Sequence, residues 1–261
     1  MNKYEENSLT FIRAMSSEVD EKFKTDFLSV SRQVFGESSM MNTDIFNTQF
    51  IDNIYGESIL VVVYSGDTPV GARSFWRNDI DGHKAYQPGS TAVIKEYRGR
   101  GIFKTMTNLA LEKVEKDDLI YNFPNENSYP QYLKLGWKDY ASYRKNIFIN
   151  VNSYKAANPQ IIDDGYLKWW IKPKGNLYVY YRNNEPFLVK KKRFNIYLIV
   201  GRINVEQASC FPLLLSKIPV LLYYYGSETF YNKKWRPTKV VIKYNNQKIN
   251  IDIPFYKLDA L

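Results

Sequence analysis

The stretch Val93-Ile94-Lys95-Glu96-Tyr97-Arg98-Gly99-Arg100-Gly101-Ile102-Phe103-Lys104 decides how this sequence folds. The residues before it alternate as in a strand, and apolar residues after it, such as Met106 and Leu109, recur at helical spacing. The two glycines let the backbone turn sharply and approach a ligand closely. Because the first N–H groups of a helix are unpaired and carry partial positive charge, the turn predicts a site for an anionic diphosphate.

Glycine turns between a strand and a helix are common, and a tight connection without a ligand is the simpler interpretation. The dinucleotide fingerprint G-x-G-x-x-G is not matched, because Lys104 occupies the position of its third glycine. The P-loop pattern G-x-x-x-x-G-K-[ST] is also absent from the sequence. A second motif is therefore needed to favour the ligand-binding interpretation.

That second motif is Asn125-Glu126-Asn127-Ser128-Tyr129-Pro130-Gln131-Tyr132-Leu133-Lys134-Leu135-Gly136-Trp137, one helix and one strand further along. The segment from Glu96 to Ile102 resembles the acyl-CoA diphosphate loop, Q/R-x-x-G-x-G/A, of the GNAT superfamily of N-acyltransferases. The second motif is similar to the pattern N-x-x-A/S-x-x-x-Y-x-x-x-G-[FW] of the same superfamily. One departure from the family pattern is that Phe103 replaces a small residue at the end of the loop. There it either narrows the diphosphate-binding turn or fills a core position.

The resemblance implies an acyl-CoA co-substrate and direct attack of a primary amine on its thioester. A main-chain N–H of the strand would polarise the carbonyl, and Tyr132 would act as the general acid for the departing thiolate. Asn125 would contact the pantetheine arm, cap a helix, or do both. The residues that the resemblance assigns to acyl-CoA are Ala92, Val93, Ile94, Arg98, Gly99, Arg100, Gly101, Ile102, Phe103, Lys104, Asn125 and Ser128.

The catalytic residues have simpler alternatives. Tyr132 is one of 22 tyrosines, so it could be a packing residue. His83 is the only histidine, and its ordinary pKa suits a general base, although a histidine in a polar loop is more often simply exposed. Asp79, Asp81 and Glu126 are the alternative bases, and an ordered water could replace all of them for an amine of low basicity.

The acceptor is inferred from charge. We expect Arg73, Trp76, Arg77 and Glu126 to contact it, with Arg73 and Arg77 on one face of a strand and Trp76 on the other. The sharpest hypothesis is a nucleotide-linked (dTDP or UDP) amino sugar used in cell-surface polysaccharide synthesis. Two surface arginines beside a core tryptophan explain the same residues.

Composition limits the class of protein. The 261 residues carry a net charge of +9, with a single cysteine that excludes an internal disulfide. The chain has no signal-like N-terminus and no membrane-length apolar run, so we expect a cytoplasmic protein that does not bind a membrane. One cysteine and one histidine do not supply a usual zinc site, so no metal is expected.

The charge is uneven along the chain. From Val151 onward there are 18 Lys and Arg against 7 Asp and Glu, which gives +11, whereas the first 150 residues carry −2. This asymmetry favours an anionic ligand or partner. The densest run, Lys190-Lys191-Lys192-Arg193, is typical of a solvated strand edge.

The element order predicts an α/β (α+β) fold with a GNAT-like mixed sheet flanked by helices, followed by a second, degenerate GNAT-like domain. The predicted boundaries are 1–150 for the acyl-CoA domain, 151–164 for a linker and 165–261 for the second domain. The helices expected around the motifs are 18–35, 43–54, a segment from 102 to about 116, and 128–135. In the second domain we expect strands 177–182, 186–192 and 195–203, a helix 205–217, a strand 220–225 and a hairpin 238–256.

Three classes of function fit these observations. The first is an acyl-CoA-dependent N-acyltransferase for a small acceptor, with nucleotide-linked amino sugars preferred over peptides and polyamines. The second is a catalytically idle acyl-CoA-binding protein, since no base is assured. The third, a nucleic-acid-binding module, is suggested only by the basic second half and is the least favoured. The sequence leaves a homodimer open.

Overall fold

A computed structural model describes residues 1–6, 8–36, 42–149, 161–215, 221–226, 237–243, 253–254 and 257. The chain divides into two compact units. The first comprises residues 1–122, 130–138 and 242–251, and the second comprises residues 123–129, 139–241 and 252–261. The predicted boundaries at 150 and 165 stay a prediction, and most of the predicted linker lies outside the described residues.

The first unit is built on a mixed sheet. Its elements are β1 (Asn2–Glu6), β2 (Leu9–Met15), α1 (Glu21–Phe35), α2 (Thr43–Phe46), β3 (Ile59–Ser65), β4 (Thr68–Arg77), β5 (Ala85–Val93), α3 (Ile102–Leu111), β6 (Leu119–Asn122) and α4 (Tyr129–Lys134). Neighbouring strands follow chain order, and all pairs are antiparallel except the parallel pair of β5 and β6.

The helices of this unit begin and end where local chemistry dictates. Helix α1 begins at Glu21 rather than at the predicted residue 18, because the Asp20 side chain accepts a hydrogen bond from the Phe23 N–H. Its last residue is Phe35, and the Gly36 that follows has a φ of +86°, which suits glycine. Helix α2 continues as one π-helical segment, Asn47–Ile51, so the predicted helix ends three residues early.

The sheet opens between β5 and β6. The parallel pairing is confined to Ala85 with Leu119 and Tyr86 with Ile120. Beyond Tyr86, β5 runs on to Val93 without a described partner on the β6 side. The two strands therefore separate toward the end of β5 that leads into the glycine turn.

Strand β5 also contains a β-bulge. Ala72 pairs with Ala92 and Ser74 pairs with Gly89, so Arg73 lies opposite two residues, Ser90 and Thr91. Ser90 takes a φ of +45°, the left-handed conformation that a bulge residue can require. The bulge places Thr91 beside the Arg73 side chain.

Gly71 of β4 allows the first turn of α3 to lie close to the sheet. A methyl group there would lie 3.2 Å from Val63 Cγ2 and 3.3 Å from Ile102 Cγ2, and both neighbours are buried. We expect Gly71→Ala to lower the free energy of unfolding by about 1 kcal/mol, because neither neighbour has room to move. The control is Gly89→Ala in β5, whose added carbon would make ordinary contacts of 3.6 Å or more. Equal denaturant midpoints for the two variants would contradict this packing.

The second unit repeats part of the first. Its elements are β7 (Lys138–Ile149), α5 (Asp164–Tyr166) with the π-helical continuation Leu167–Ile171, β8 (Leu177–Arg182), β9 (Glu185–Arg193), β10 (Ile196–Arg202), α6 (Val205–Ala208) and β11 (Leu221–Gly226). Strands β8, β9 and β10 are antiparallel, and β11 is parallel to β10 and antiparallel to β7. The series from β8 to β11 therefore has the order and directions of β3 to β6.

Two predictions for this region were imprecise. The helix expected over 205–217 ends at Ala208, because Pro212 cannot continue a helix and disfavours helical geometry at the residue before it. The following residues instead pair beside β8, where Pro212 O accepts from the Val179 N–H at 2.9 Å. Only the first strand of the predicted 238–256 hairpin is described, as β12 (Thr238–Lys243), and its predicted turn lies outside the described residues.

The basic run 190–193 was expected at a solvated strand edge, and it forms the end of β9, where residues 191–193 are exposed and lie beyond the residues that pair with β8. Lys190 differs, because it pairs with β8 on one side and with β10 on the other. Lys190 has Leu177 and Leu198 as its cross-strand neighbours, and both leucines are buried. Burial lowers the pKa of Lys190, and the charge of nearby Lys192 lowers it further.

A lowered lysine pKa has a defined effect on stability. The folded protein disfavours the charged amine, so the penalty is fully present below the folded-state pKa and disappears above the unfolded value of 10.5. We expect Lys190→Met to raise Tm by about 2 °C near pH 7, with the gain shrinking as pH approaches 10.5. Lys191→Met, at an exposed position on the other face of β9, is the control. A pH-independent gain would contradict this account.

Candidate functional site

The glycine turn presents a run of unpaired main-chain amides. Within the described chain, the N–H groups of residues 99–104 donate to no carbonyl, and the first bonded amide of α3 is that of Thr105, to Gly101 O at 3.0 Å. Gly99 and Gly101 have φ values of +81° and +78°, and a Cβ atom at either would face open space. Both glycines were predicted, and the geometry fits a diphosphate, which needs several converging N–H donors.

Cations surround this turn. The Arg98 guanidinium is exposed and donates from Nε to Val93 O at 3.0 Å. Arg100 stacks on the Tyr97 ring at 4.9 Å, and Lys104 is exposed on the first turn of α3. Three of the predicted diphosphate contacts therefore provide positive charge next to the free amides.

Not every amide proposed for the carbonyl is available. The Ile94 N–H donates to Val70 O at 3.0 Å, so it does not serve a ligand. Antiparallel pairs alternate between bonded and non-bonded positions, so the Val93 amide points away from β4, toward the side where β6 has separated. Val93 is therefore the main-chain donor left from the predicted set of Ala92, Val93 and Ile94.

Tyr132 lies at the centre of a buried polar cluster. Its side chain is 2% exposed, and its hydroxyl oxygen accepts from Arg73 Nη2 at 2.8 Å and from Asn122 Nδ2 at 2.7 Å. Its ring contacts Trp137 with a centroid distance of 4.7 Å and Phe103 with one of 5.6 Å. The predicted second motif therefore folds so that Trp137 packs on Tyr132 within the first unit.

Arg73 was predicted to contact the acceptor, and the structure places it elsewhere. Its side chain is fully buried, with Nη1 donating to Thr91 Oγ1 at 2.6 Å and Nη2 donating to Tyr132. The guanidinium carbon lies 4.4 Å from the centre of the Phe103 ring. Phe103 thus does more than fill a core position, because it covers a buried cation.

Asn125 and Ser128 act locally in the structure. Asn125 Oδ1 accepts from the N–H groups of Asn127 and Ser128 at 3.0 and 2.9 Å. Its carbonyl accepts from the Tyr129 N–H at 2.9 Å. These bonds close the turn that precedes α4, and the contact of Asn125 with a pantetheine arm stays a prediction.

The structure does not support His83 as the base. It is exposed in the turn between β4 and β5 and forms two main-chain hydrogen bonds with Ile80. This turn is at the start of β5, about eight residues or roughly 25 Å of strand from the glycine turn. Asp81 is exposed in the same turn, with a φ of +49°.

Two of the remaining predicted acceptor contacts, Arg77 and Trp76, have other roles, whereas the contact of Glu126 stays a prediction. Asp79 accepts two hydrogen bonds from Arg77, at 2.7 and 3.0 Å, and one from the Ala85 N–H, so this pair fixes the turn. Trp76 is fully buried and offers no surface for a ligand to stack on. Glu126 is exposed. The expected arginine pair on one face is therefore not a shared anion site.

The sequence did not predict two residues that contact the Tyr132 and Arg73 side chains, Asn122 and Thr91. Asn122 was assigned only to a buried strand, and Thr91 only to the strand before the turn. A polar residue at the end of the apolar run Leu119–Asn122 was the available signal for Asn122. Nothing in the sequence marks Thr91, since its position depends on the bulge.

Comparison with known proteins agrees with this geometry. Residues 25–137 match the family model described as the acetyltransferase (GNAT) family. A GCN5-related N-acetyltransferase from Kribbella flavida is similar in structure, with a TM-score of 0.57 and 12% identity over 90% of this chain and 72% of that one. A probable N-acyltransferase from Enterococcus faecalis V583 gives a TM-score of 0.54, with the same identity and coverage. No curated protein matches the chain significantly.

These likenesses establish the fold and its extent. The first unit has the GNAT fold, as the two spaced motifs predicted, and residues 25–137 are similar to the acetyltransferase (GNAT) family. The structural likeness covers 90% of the chain and so reaches beyond the segment that the family model matches. Among the described residues, no group of three or more His, Cys, Asp or Glu side chains could hold a metal ion. No helix of the described part is long and apolar enough to cross a bilayer.

Proposed function

We propose that this chain, whose residues 25–137 match the acetyltransferase (GNAT) family model, transfers an acyl group from acyl-CoA to a primary amine by direct attack. The observation that carries the proposal is the run of unpaired amides over residues 99–104, flanked by Arg98, Arg100 and Lys104. The unpaired stretch of β5 provides main-chain groups for the amide-containing arm of the co-substrate, because β6 has separated from it.

The chemistry needs a carbonyl polariser and a proton donor. In the proposed reaction the Val93 N–H donates a hydrogen bond to the thioester oxygen, and this bond strengthens as negative charge develops there. As the C–S bond breaks, its electron pair goes to sulfur and the Tyr132 hydroxyl gives sulfur a proton. The nitrogen loses one proton to water as it becomes the amide, and Tyr132 regains one from water. With His83 distant and Asp79 bound to Arg77, an ordered water is the base that we propose.

The acceptor that we propose is a nucleotide-linked amino sugar. It is supported by the +11 charge of the chain from Val151 onward, which favours an anionic acceptor. Its use in cell-surface polysaccharide synthesis, a cytoplasmic location and a homodimer remain predictions from the sequence. Peptide and polyamine amines are the alternative acceptors.

The test combines binding and turnover. Calorimetry with coenzyme A should give binding, and mass spectrometry after incubation with acetyl-CoA or longer acyl-CoAs should detect an amide product. The acceptor panel should contain dTDP- and UDP-linked amino sugars, a polyamine and a peptide with a free amine. Binding without any product would favour the idle acyl-CoA-binding protein. Absence of binding would contradict the proposed function altogether.

A further inference from the structure

Arg73 presents a buried positive charge without a matching carboxylate. Its side chain is 0% exposed, and within the described ranges it forms no ion pair. Its Nε atom is also buried without a hydrogen-bond partner among the described residues. Buried cations are normally paired, because removing a charge from water is costly. The other buried arginine of the first unit, Arg13, follows that rule through Glu112 Oε2 at 2.6 Å.

Instead of pairing with a carboxylate, Arg73 donates a hydrogen bond to the hydroxyl oxygen of Tyr132. A phenolic hydroxyl has two acceptor positions and one donor hydrogen. Arg73 and Asn122 fill both acceptor positions, at 2.8 and 2.7 Å. The O–H hydrogen has no acceptor among the described residues, so it is available only for donation. Tyr132 is thereby set as a proton donor and is unable to accept a proton in this arrangement.

We propose that Arg73 is the positioning residue that fixes Tyr132 as an acid and balances the charge left on its oxygen after proton transfer. This inference rests on the proposed function and deepens it. When Tyr132 gives its proton to the leaving sulfur, the phenolate that remains keeps the two hydrogen bonds and gains an adjacent cation. The missing carboxylate is then explained, since an anion forms at this place once in each turnover.

The surroundings of Arg73 keep the guanidinium in place without neutralising it. Thr91 Oγ1 accepts from Nη1 at 2.6 Å, and the bulge in β5 is what brings Thr91 there. The Phe103 ring covers the guanidinium at 4.4 Å, a cation–π distance that offsets part of the cost of burial. Both neighbours are neutral, so the positive charge stays available for the Tyr132 oxygen.

The first experiment measures steady-state kinetics of Arg73→Met, Tyr132→Phe and the double variant. We expect Arg73→Met to lower kcat about 30-fold while KM for acyl-CoA changes less than threefold. The double variant should be no slower than Tyr132→Phe alone, because Arg73 acts through the hydroxyl. Arg13→Met is the control for the loss of a buried guanidinium, and its kcat should stay within threefold of the wild type. The proposal would be overturned if the reduction of kcat in the double variant equalled the product of the reductions in the two single variants.

Thr91→Val provides a second test, which applies even if Arg73→Met fails to fold. It retains the side-chain shape and removes the hydroxyl that accepts from Arg73 and that also donates to Gly89 O at 3.3 Å. We expect kcat to fall three- to tenfold in the wild-type background and not to change in the Tyr132→Phe background. An equal loss in both backgrounds would also overturn the proposal.

A binding measurement separates this inference from the proposed function. Calorimetry should compare coenzyme A with desulfo-coenzyme A, which lacks the sulfur that Tyr132 would meet. We expect the wild type to prefer coenzyme A about tenfold and Arg73→Met and Thr91→Val to lose that preference while still binding both. If both variants keep the preference for coenzyme A over desulfo-coenzyme A, the role of Arg73 alone is contradicted. If the wild type binds neither ligand, both proposals are contradicted.

Discussion

Tyr132→Phe is expected to lower kcat about a hundredfold while the affinity for desulfo-coenzyme A, which lacks the sulfur that the hydroxyl would meet, stays within threefold. A general acid contributes about 10²–10⁴-fold, and the cradle at residues 99–104 does not depend on the hydroxyl. The ring packing on Trp137 is retained, because phenylalanine keeps the same shape. Comparing steady-state kinetics with calorimetry on the same preparation checks this result.

The variant also loses stability for a separate reason. Arg73 and Asn122 each lose an acceptor, which should cost about 1–3 kcal/mol of unfolding free energy. Tyr121→Phe is the matched control, since it removes another buried hydroxyl, which donates to Asn78 O at 3.1 Å. We expect that control to keep kcat within threefold. Unchanged turnover in Tyr132→Phe would leave the tyrosine with a packing role only.

Gly101→Asp is expected to weaken binding of coenzyme A at least 30-fold, or about 2 kcal/mol. The new carboxylate would stand among the amides that would hold the phosphates, so that like charges would face each other. Gly101→Asn has nearly the same shape without the charge, and we expect it to lose less than tenfold. Calorimetry at low and moderate ionic strength should show that the difference between the two variants shrinks with salt.

The control for backbone strain is Gly66→Asp. Gly66 lies in the turn between β3 and β4, has a φ of +59°, and has open space where a side chain would start. Like Gly101→Asp, the Gly66→Asp variant places a side chain in the left-handed region and should carry the same backbone strain. It should leave the affinity for coenzyme A unchanged. Equal weakening by both aspartates would mean that global destabilisation, rather than the cradle, accounts for the loss.

Local patterns in the sequence were sufficient for the cradle and for much of the fold. Gly99 and Gly101 stand between a strand and an amphipathic helix, and that order alone predicts free amides at the start of α3. Gly136 was likewise predicted from its neighbours: it follows α4, and its φ of +78° suits a glycine at the end of a helix. These features depend on a few neighbouring residues, so the chain reports them directly.

The errors came from contacts between distant residues. Arg73 and Arg77 were grouped by strand alternation, yet Arg77 is held by Asp79 and Arg73 by Tyr132, which is 59 residues away. Within the basic run of β9, the partial burial of Lys190 depends on its neighbours in β8 and β10, which the pattern of charge does not show. Pro212 was a local signal that could have corrected the helix expected over 205–217.

The bulge in β5 has a consequence for comparing this chain with others. Before it, Gly89 lies on the same face as Ser74, and after it Ala92 lies on the same face as Ala72, so odd and even positions exchange sides within one strand. Deleting Ser90 would restore strict alternation and leave Ala92 and Val93 on their present faces, because Gly89 and Ala92 already share one face. An alignment with a strand that lacks the bulge therefore needs a gap of one residue here, and without that gap it would equate outward-facing positions of one protein with inward-facing positions of another.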